Sequence, residues 1–305
     1  MSAKWRKLGL VYSPSGERSW MQTHAAVPIA ENIGGDFFKI YFSSRDKKNQ
    51  SFTNYLIINL NQPQKVLEFS SEPVVGPGGL GEFDDSGAMA SWLVQYEGKR
   101  LLYYIGWNLG VTVPFRNSIG LAISEGGGRF RRYAKGPIID RTATEPHFVA
   151  SCCVIPGKDK WRMWYLSCTA WELRHGKPEH RYHIKYAESD DGLSWRREGI
   201  VSIDYLNSSE YAISRPSVIR DKDCWKMWYS HRGSSYRIGY AESHDGINWQ
   251  RCDAFSGIDV SEFGWDSEMI EYPYVFDHKG RRYMLYNGNG YGKSGFGLAV
   301  LESSI

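Results

Sequence analysis

The sequence predicts an all-β protein built from five copies of one small antiparallel sheet. A short aromatic run that ends in small polar residues occurs five times, beginning at Phe37, Arg100, Trp161, Trp225 and Arg281. The starts of successive runs are 63, 61, 64 and 56 residues apart. No stretch of the chain shows the apolar period of a helix. Repeats of this length, with about four strands each, are typical of β-propellers. The predicted fold is therefore a five-bladed β-propeller that occupies residues 1–305 as a single domain.

Each copy is predicted to contain three or four strands. The first strands are "HAAVPIA", "GAMASWLVQY", "HFVASCCVI", "SRPSVI" and "EYPYVF". Turns such as "EGK", "PGKDK", "RDKD" and "DHKG" join them to the aromatic second strands, as in hairpins. The third strands are "NYLIINL", "SIGLAIS", "HIKYAES", "RIGYAES" and "GFGLAVLES". In copies three and four, "DGLSW" and "DGINW" predict an Asp-Gly turn followed by a fourth, outer strand.

The copies are expected to stack side by side, because one small sheet cannot bury its apolar faces alone. We expect the interior tryptophans of two aromatic runs to lie in the shared core; they are Trp161, Trp164, Trp225 and Trp228. A β-sandwich is the alternative fold, although a sandwich does not require the recurrence of "MWY" and "YAES". Copy three carries ten extra residues within "CTAWELRHGKPEH". We expect a loop there, since loops accept insertions at small cost.

Composition and charge exclude several classes of partner. The chain of 305 residues has a net charge of +3 and no basic run, so we expect no nucleic-acid partner. No window approaches the length of about eighteen apolar residues that a membrane span needs. The start of the sequence lacks the apolar segment of a secretory signal. Five cysteines without a CxxC pair indicate reduced thiols. We expect a cytoplasmic protein with no cofactor and no bound metal; its oligomeric state stays open.

The predicted fold collects polar side chains at one end of the central channel. The first strand of a blade lines the channel, and its beginning lies beside the end of the antiparallel second strand. The candidates at or before the first strands are His24, Asp84, Asp85, Glu145, His147, Arg215, Glu268 and Glu271. The candidates that follow the second strands are Arg45, Trp107, Asn108, His231, Arg232, Asn287 and Asn289. Carboxylates that converge from three blades predict a functional pocket.

Several candidates also have structural interpretations. Asp84 and Asp85 could cap turns. Glu145 could form a structural salt bridge. Arg215 begins an otherwise apolar strand, so its burial would require a partner carboxylate, from Glu145 or Glu271.

The repeated pattern "MWYS…YRIGYAESHDGINWQR" resembles the five-bladed β-propeller glycoside hydrolases, which include arabinanases, xylosidases, levansucrases, invertases and mannoside phosphorylases. The resemblance covers about residues 20–303 and lies in strands and turns, so it names no substrate. In those enzymes acids from different blades serve as base or nucleophile, as proton donor and as modulator of the donor's pKa. The resemblance implies Asp85 (or Asp84) as base or nucleophile, Glu145 as proton donor, and Glu271 as second acid or pKa modulator.

Two positions depart from the pattern of those hydrolases. Where they carry an aspartate in the first blade, this chain reads "MQTHAAVP", with His24 and no acid. Where they carry a glutamate in blade four, it reads "AISRPSV", with Arg215. Three possibilities stay open: relocated acids, a phosphorylase-like mechanism in which arginine and histidine hold an anion, or a propeller that binds sugar without cleaving it.

The leading functional hypothesis is a carbohydrate-active enzyme that acts on a small glycoside or an activated sugar by acid/base catalysis with carboxylates. Arg45, Arg215 and His24 would then hold hydroxyl groups or an anionic substituent. The alternative is a non-catalytic carbohydrate-binding propeller associated with polysaccharide metabolism. A propeller that binds only proteins would instead require an apolar channel mouth.

Overall fold

The computed structural model describes residues 4–222 and 224–302; the rest of the predicted domain, residues 1–3, 223 and 303–305, lies outside the described residues. A short 3-10 helix, Asp253–Phe255, is the only helical element in the described part. In chain order the strands are β1 (Lys4–Tyr12), β2 (Thr23–Gly34), β3 (Phe37–Arg45), β4 (Ser51–Asn59), β5 (Gln62–Phe69), β6 (Gly87–Tyr96), β7 (Lys99–Leu109), β8 (Phe115–Glu125), β9 (Arg131–Arg132), β10 (Val149–Ile155), β11 (Trp161–Arg174), β12 (Lys177–Ser189), β13 (Val201–Ile203), β14 (Ala212–Arg220), β15 (Trp225–Arg232), β16 (Tyr236–Ser243), β17 (Gln250–Arg251), β18 (Glu271–His278), β19 (Arg281–Asn287) and β20 (Phe296–Glu302).

Antiparallel pairing joins the described strands into units of four, at the places of the predicted copies. Four units follow the chain order without interruption: β2 to β5, β6 to β9, β10 to β13 and β14 to β17. In the fifth unit β18, β19 and β20 pair in order, and β1 pairs with β20 as the fourth strand. The start of the chain therefore completes the last sheet.

The first strands of the units contact one another in a ring. Strand β2 contacts β6, β6 contacts β10, β10 contacts β14, β14 contacts β18, and β18 contacts β2 again. The predicted core tryptophans Trp161, Trp164, Trp225 and Trp228 are at most 5% exposed. The all-β class is confirmed, and the sheets have a propeller-like arrangement.

Every first strand contains a β-bulge near its beginning. In three units the bulge contains a residue with positive φ followed by proline; these residues are Val27 (φ 50°), Arg215 (φ 54°) and Tyr272 (φ 55°). Proline has no N–H to donate, so it is tolerated where a bulge interrupts the ladder of hydrogen bonds. The bulges leave backbone N–H groups that other partners must satisfy.

Side chains of neighbouring units bind these backbone groups. A serine of one unit accepts a hydrogen bond from the next unit's first strand three times around the ring: Ser91 Oγ from Cys152 N (2.8 Å), Ser151 Oγ from Arg215 N (3.1 Å) and Ser217 Oγ from Val275 N (2.8 Å). Between the fifth and first units, Tyr274 donates its hydroxyl proton to the carbonyl of Ala30 (3.1 Å) and Asn287 Oδ1 accepts from Val27 N (2.8 Å). These bonds fasten the ring of first strands.

Arg215 extends across this ring. Its side chain is fully buried and donates to the carbonyl oxygens of Ser91 in β6 and Pro28 in β2 (3.2 Å for the latter). Burial lowers the pKa of Arg215 to about 10, so the guanidinium keeps its charge at neutral pH. The expectation that burial would require Glu145 or Glu271 as a partner is wrong, because backbone carbonyls are the acceptors of the two terminal nitrogens; Nε has no partner in the described residues.

A carboxylate clamp recurs within the units. We use this name for an acid just before the first strand that binds a basic side chain from the outer edge of the same sheet, usually together with the tyrosine hydroxyl of the second strand. In the second unit Asp84 accepts from Tyr104 Oη (3.0 Å) and Arg132 Nε (2.8 Å). In the third, Glu145 accepts from Tyr165 Oη (3.0 Å) and Arg197 Nη1 (2.8 Å).

The fourth and fifth units use the same device. Glu210 accepts from Arg251 Nη1 (2.7 Å), and Asp266 accepts from Lys7 Nζ (2.7 Å) and from the hydroxyl of Tyr286 (3.0 Å). In the first unit the "FKIYFSS" run carries Phe42 where the other runs carry this tyrosine. Phenylalanine offers no hydroxyl, and the sequence before that unit's first strand contains no acid at the matching place.

The insertion in the third unit is not a loop, so that expectation is wrong. Strands β11 and β12 continue through it as a hairpin that turns at His175 and Gly176, with one shift of register between Cys168 and Ala170. Its Trp171 packs against Phe115 and Phe148 at centroid distances of 5.5 and 5.6 Å. Paired backbone groups and these aromatic contacts favour strand over loop.

We predict that Arg132→Met destabilises the protein by about 2–4 kcal/mol, because it leaves the buried Asp84 carboxylate without its cation. Chemical denaturation measures the change. The neighbouring exposed arginine supplies the control, and Arg131→Met should change the stability by less than about 0.5 kcal/mol. Adding Asp84→Asn to Arg132→Met should recover part of the loss. Equal stability of Arg132→Met and wild type would contradict the clamp.

We predict that Ser217→Ala costs about 1–2 kcal/mol, since the buried N–H of Val275 loses its acceptor. Ser214 lies in the same strand, and its buried hydroxyl has no partner in the described residues. Ser214→Ala is therefore the matched control and should be close to neutral. A similar loss for both variants would show that packing, and not the bond between units, determines the effect.

Candidate functional site

Strand ends from three units meet at one end of the ring. Strand β18 begins at Glu271, β15 ends at Arg232, and β3 ends at Arg45, which pairs with Thr23 at the beginning of β2. The third strand of the third unit also reaches this end, because Tyr182 in β12 pairs with Ala212 at the beginning of β14. We call the group Glu271, Tyr272, Arg232, Tyr236, Tyr182, Tyr291, Arg45 and His24 the mouth site.

Glu271 is the buried acid of the mouth site. Its carboxyl group has no exposed surface, and neither oxygen has a hydrogen-bond partner in the described residues. Burial raises the pKa of Glu271 well above its usual 4.5, while the charge of Arg232 opposes the rise. The side chain can therefore hold its proton at a pH where ordinary glutamates are ionised.

Four tyrosines surround this carboxyl group. The hydroxyls of Tyr182 and Tyr236 hydrogen bond to each other. The ring of Tyr236 lies 6.2 Å from that of Tyr272 and 6.1 Å from that of Tyr291. Burial raises the pKa of all four above 10, so each presents a neutral hydroxyl that can donate and accept.

Arg232 lies among aromatic rings. Its Cζ is 5.2 Å from the ring centroid of Tyr211, 5.5 Å from that of Tyr236 and 5.8 Å from that of Tyr291. Such cation–π contacts hold a guanidinium in place while leaving its N–H groups free to donate.

Arg45 and His24 form the other side of the mouth site. The half-buried Arg45 donates to Asn49 Oδ1 (2.9 Å), and its charge lies close enough to Tyr272 to act on that hydroxyl. Burial, with the nearby charges of Arg45 and Lys293, lowers the pKa of His24 to about 4. His24 is therefore neutral at pH 7, with Nδ1 2.9 Å from Thr23 Oγ1.

Three predicted site residues lie in carboxylate clamps. Asp84 and Glu145 are the acids of the second and third clamps, and Glu145 also accepts from Ser167 Oγ (2.9 Å) and pairs with Lys185 Nζ (3.0 Å). His231 contacts the fourth clamp through Nδ1, 2.9 Å from Glu210 Oε1. Desolvation opposes ionisation of Glu145, yet its donors keep its pKa below the usual value. Such an acid does not hold a proton for donation.

Other predicted residues serve the loops around the mouth. Asp85 is half-buried and accepts from Gly81 N (3.1 Å) and Ser86 Oγ (3.0 Å), as expected of a turn cap. Asn108 donates to the carbonyl of Glu82 (3.2 Å), and Trp107 Nε1 has no partner in the described residues. Their elements lead to the mouth, but no hydrogen bond or ion pair of the described residues joins them to Glu271.

The remaining predicted residues fall into three groups. Asn287 is fully buried and bonds to Val27 N and to the carbonyl of Ala25 (2.7 Å), which links the fifth and first units. Asn289 accepts from the backbone of Glu268 (2.8 Å) and holds the loop before β18. The side chains of Glu268 and His147 are exposed and half-buried, respectively.

Sequence reasoning missed the tyrosines of the mouth site. Tyr182 and Tyr236 occupy one position of the repeat, the first residue of "YHIKYAES" and of "YRIGYAES". The repeat could have identified them, had the beginning of each third strand been placed beside the mouth. Tyr291 lies in the loop after β19, where no repeat marks it.

The side chains of the mouth site have chemistry that suits a polar ligand and the supply of a proton. Neutral hydroxyls and aromatic rings suit a sugar, the carboxyl of Glu271 suits proton donation, and the guanidinium groups suit an anion. No group of three or more metal-ligating side chains comes together among residues 4–222 and 224–302. In the same residues, no helix could span a membrane.

Two comparisons of sequence bear on the identity of the chain. No protein-family model matches it. Two proteins of Mycobacterium tuberculosis, uncharacterized protein Rv1502 and uncharacterized protein MT1551 from a second strain, are each 46% identical to it over 299 residues. The match covers 98% of this chain and 99% of each relative.

Solved structures share the fold over nearly the whole chain. A structure described as a complex of BT0996 with RGII has a TM-score of 0.72 at 18% identity, over 100% of this chain and 92% of that protein. A thermostable family-43 glycoside hydrolase has a TM-score of 0.65 at 16% identity, over 95% and 91%. The family-32 β-fructofuranosidase of Bombyx mori has a TM-score of 0.66 at 12% identity, over 97% and 61%.

These TM-scores confirm the resemblance to the propeller glycoside hydrolases for the fold. Sequence identities this low carry no information on substrate. The 46% identity to the two Mycobacterium tuberculosis proteins, over nearly the full length of both chains, is stronger evidence of common descent. This chain belongs to the family of the Mycobacterium tuberculosis protein Rv1502, and it has the fold of the glycoside hydrolases of families 43 and 32.

Proposed function

We propose that this protein is a carbohydrate-active enzyme of the glycoside hydrolase type, which binds a small glycoside or an activated sugar in the mouth site. The observation that carries the proposal is the carboxyl group of Glu271, buried and unbonded among four tyrosines. Cleavage of a glycosidic bond needs one carboxyl group that keeps its proton until it reaches the leaving oxygen. Burial supplies that condition here.

The proposed architecture is a closed five-bladed propeller in which each four-stranded unit is one blade and residues 1–305 form one domain. The ring of contacts between first strands supports closure. The pairing of β1 with β20 supports it further, because it ties the two ends of the chain into one blade.

The proposed roles follow from the surroundings of each acid. Glu271 donates its proton to the glycosidic oxygen as the bond from that oxygen to the anomeric carbon breaks. An acceptor such as water then adds to the anomeric carbon and loses a proton to a base. Asp85 stays the candidate base or nucleophile, since its carboxylate has no cationic partner in the described residues. For Glu145, the ion pairs with Lys185 and Arg197 favour a structural role over proton donation.

One observation favours a second candidate function, a non-catalytic carbohydrate-binding propeller associated with polysaccharide metabolism. Asp84 and Glu145, two of the acids expected to reach the pocket, are held by cations within their own sheets. A site that offers only Glu271 would lack the second carboxylate of ordinary glycosidases. For either function we propose a cytoplasmic protein that needs no cofactor.

We predict that Glu271→Gln lowers turnover by about two or more orders of magnitude, because glutamine keeps the shape and loses the proton. Purified protein is assayed against aryl glycosides and nucleotide sugars, and the variants against whichever is turned over. Glu262→Gln changes an exposed glutamate of the loop before β18 and is the matched control, with an unchanged rate. A near-normal rate for Glu271→Gln would remove Glu271 as the donor. Saturable binding without turnover would instead select the carbohydrate-binding function.

We predict that the free energy of unfolding of Glu271→Gln increases, relative to that of wild type, as pH rises. Folding raises the pKa of this carboxyl above its value of about 4.5 in the unfolded chain, so the folded state holds the proton more tightly. The resulting stability is present at low pH and is lost as pH rises through the folded-state pKa. Between pH 5 and 8 the difference in unfolding free energy should shift by about 1–3 kcal/mol.

Urea denaturation at several pH values measures this difference between Glu271→Gln and wild type. Glu262→Gln, which changes an exposed glutamate of the loop before β18, is the control. A pH-independent difference for Glu271→Gln would mean that Glu271 titrates like a solvated acid.

A further inference from the structure

Two arginines of the mouth site lack a counter-charge. No carboxylate oxygen of the described residues lies within 4.0 Å of a guanidinium nitrogen of Arg45 or Arg232, although both side chains are half-buried. Arginines of the clamps differ in this respect: Arg197 is 2.8 Å from Glu145 and Arg251 is 2.7 Å from Glu210. Partial burial of a charge without an ion-pair partner is costly, so two such arginines in one site favour a ligand that carries an anion.

The nearest acid does not supply this anion. Arg232 acts electrostatically on Glu271, but no oxygen of that carboxyl lies within 4.0 Å of the guanidinium nitrogens, and burial raises the pKa of Glu271 against the effect of Arg232. The surroundings of Arg232 are instead the faces of Tyr211, Tyr236 and Tyr291. These rings position the guanidinium and leave its N–H groups without a charged acceptor.

The other side of the mouth site is also positive. Arg45 donates one N–H to Asn49, and Lys293 lies close enough for its charge to act on His24 together with that of Arg45. The adjacent acid Asp46 accepts from the backbone N–H groups of Lys48 (2.9 Å) and Gln50 (2.8 Å). That carboxylate is therefore engaged by its own loop.

A neutral sugar would leave both guanidinium groups uncompensated. A carboxylate or phosphate would accept charge-assisted hydrogen bonds from them, which are about twice as strong as those between neutral groups. The planar fork of arginine matches the geometry of both anions.

We propose that the ligand of the mouth site is an anionic glycoside, one that carries a carboxylate or phosphate group that Arg45 and Arg232 bind. This inference rests on the proposed carbohydrate function and specifies its substrate class. Glu271 lies between the two arginines in the order of units around the ring, in the unit that separates the first from the fourth. The sugar would place its glycosidic oxygen at Glu271 and its anionic group against the guanidinium groups.

The test compares matched sugars that differ only in charge. Calorimetric titrations at constant ionic strength use glucose, glucuronate and glucose 6-phosphate, the corresponding galactose and mannose series, and inorganic phosphate and sulfate. We expect at least one acidic sugar to bind about tenfold or more tightly than its neutral counterpart. Binding by the uronate or by the phosphate ester distinguishes the two anions.

The variants assign the effect to the arginines. Arg45→Gln and Arg232→Gln should each weaken binding of that acidic sugar by about tenfold and reduce its preference over the neutral counterpart. Arg232→Lys keeps the charge and should retain part of the preference, which separates loss of charge from loss of folding. Arg281→Gln is the control, since Arg281 is exposed at the hairpin end of β19 away from the mouth.

The outcomes separate this inference from the proposed function. Equal binding of neutral and acidic sugars, a preference that survives both glutamine variants, or no saturable binding of any anion in the panel would overturn the anionic ligand. If the protein nevertheless turned over a neutral glycoside, the proposed enzymatic function would still be supported. Tight binding of acidic sugars without turnover of their aryl glycosides would support the anionic ligand and count against catalysis.

Discussion

The bulged first strands, and the hydrogen bonds that join them, are the constraint on which the remaining structure depends. Each bulge releases a backbone N–H from its own ladder, and a serine of the preceding unit accepts it at three of the junctions. Arg215 adds bonds from the fourth unit to carbonyls of the first and second. Small sheets that could slide on apolar faces are thereby held in one relative position. Strand ends of the first, fourth and fifth units then meet at the mouth site.

Charge is used in two different ways in this molecule. Within the sheets, Asp84, Glu145, Glu210 and Asp266 are each matched by a basic side chain, so their charges are compensated and serve stability. At the mouth site the ionisable groups lack such ion-pair partners among the described residues. Glu271 has burial without donors, while Arg45 and Arg232 have partial burial without carboxylate partners among the described residues. Unmatched groups of both kinds in one place are costly to folding, and this cost is the basis of the proposal that the mouth site binds a ligand.

The hairpin of the third unit shows how an insertion can shape such a site. Its strands extend the sheet beyond the other units, and Arg174 lies over Tyr211 with its Cζ 5.1 Å from the ring centroid. Tyr211 in turn contacts Arg232 on the mouth side. The insertion therefore helps to hold Tyr211, one of the aromatic rings around Arg232. The ten extra residues thus have a structural role and are not merely tolerated.

The repeat, the strand type and the hairpin order could all be predicted from residue patterns, because aromatic strands and Asp-Gly turns have local causes. The same patterns placed Glu271, Arg232, Arg45 and His24 at or near strand ends. Which acids are paired could be seen only in the folded chain. Asp84 meets Arg132 and Glu145 meets Arg197 across about fifty residues of chain, and β1 meets β20 across almost its full length. Pairing of charges and the contact between β18 and β2 depend on distances between remote segments, which residue type and spacing along the chain do not encode.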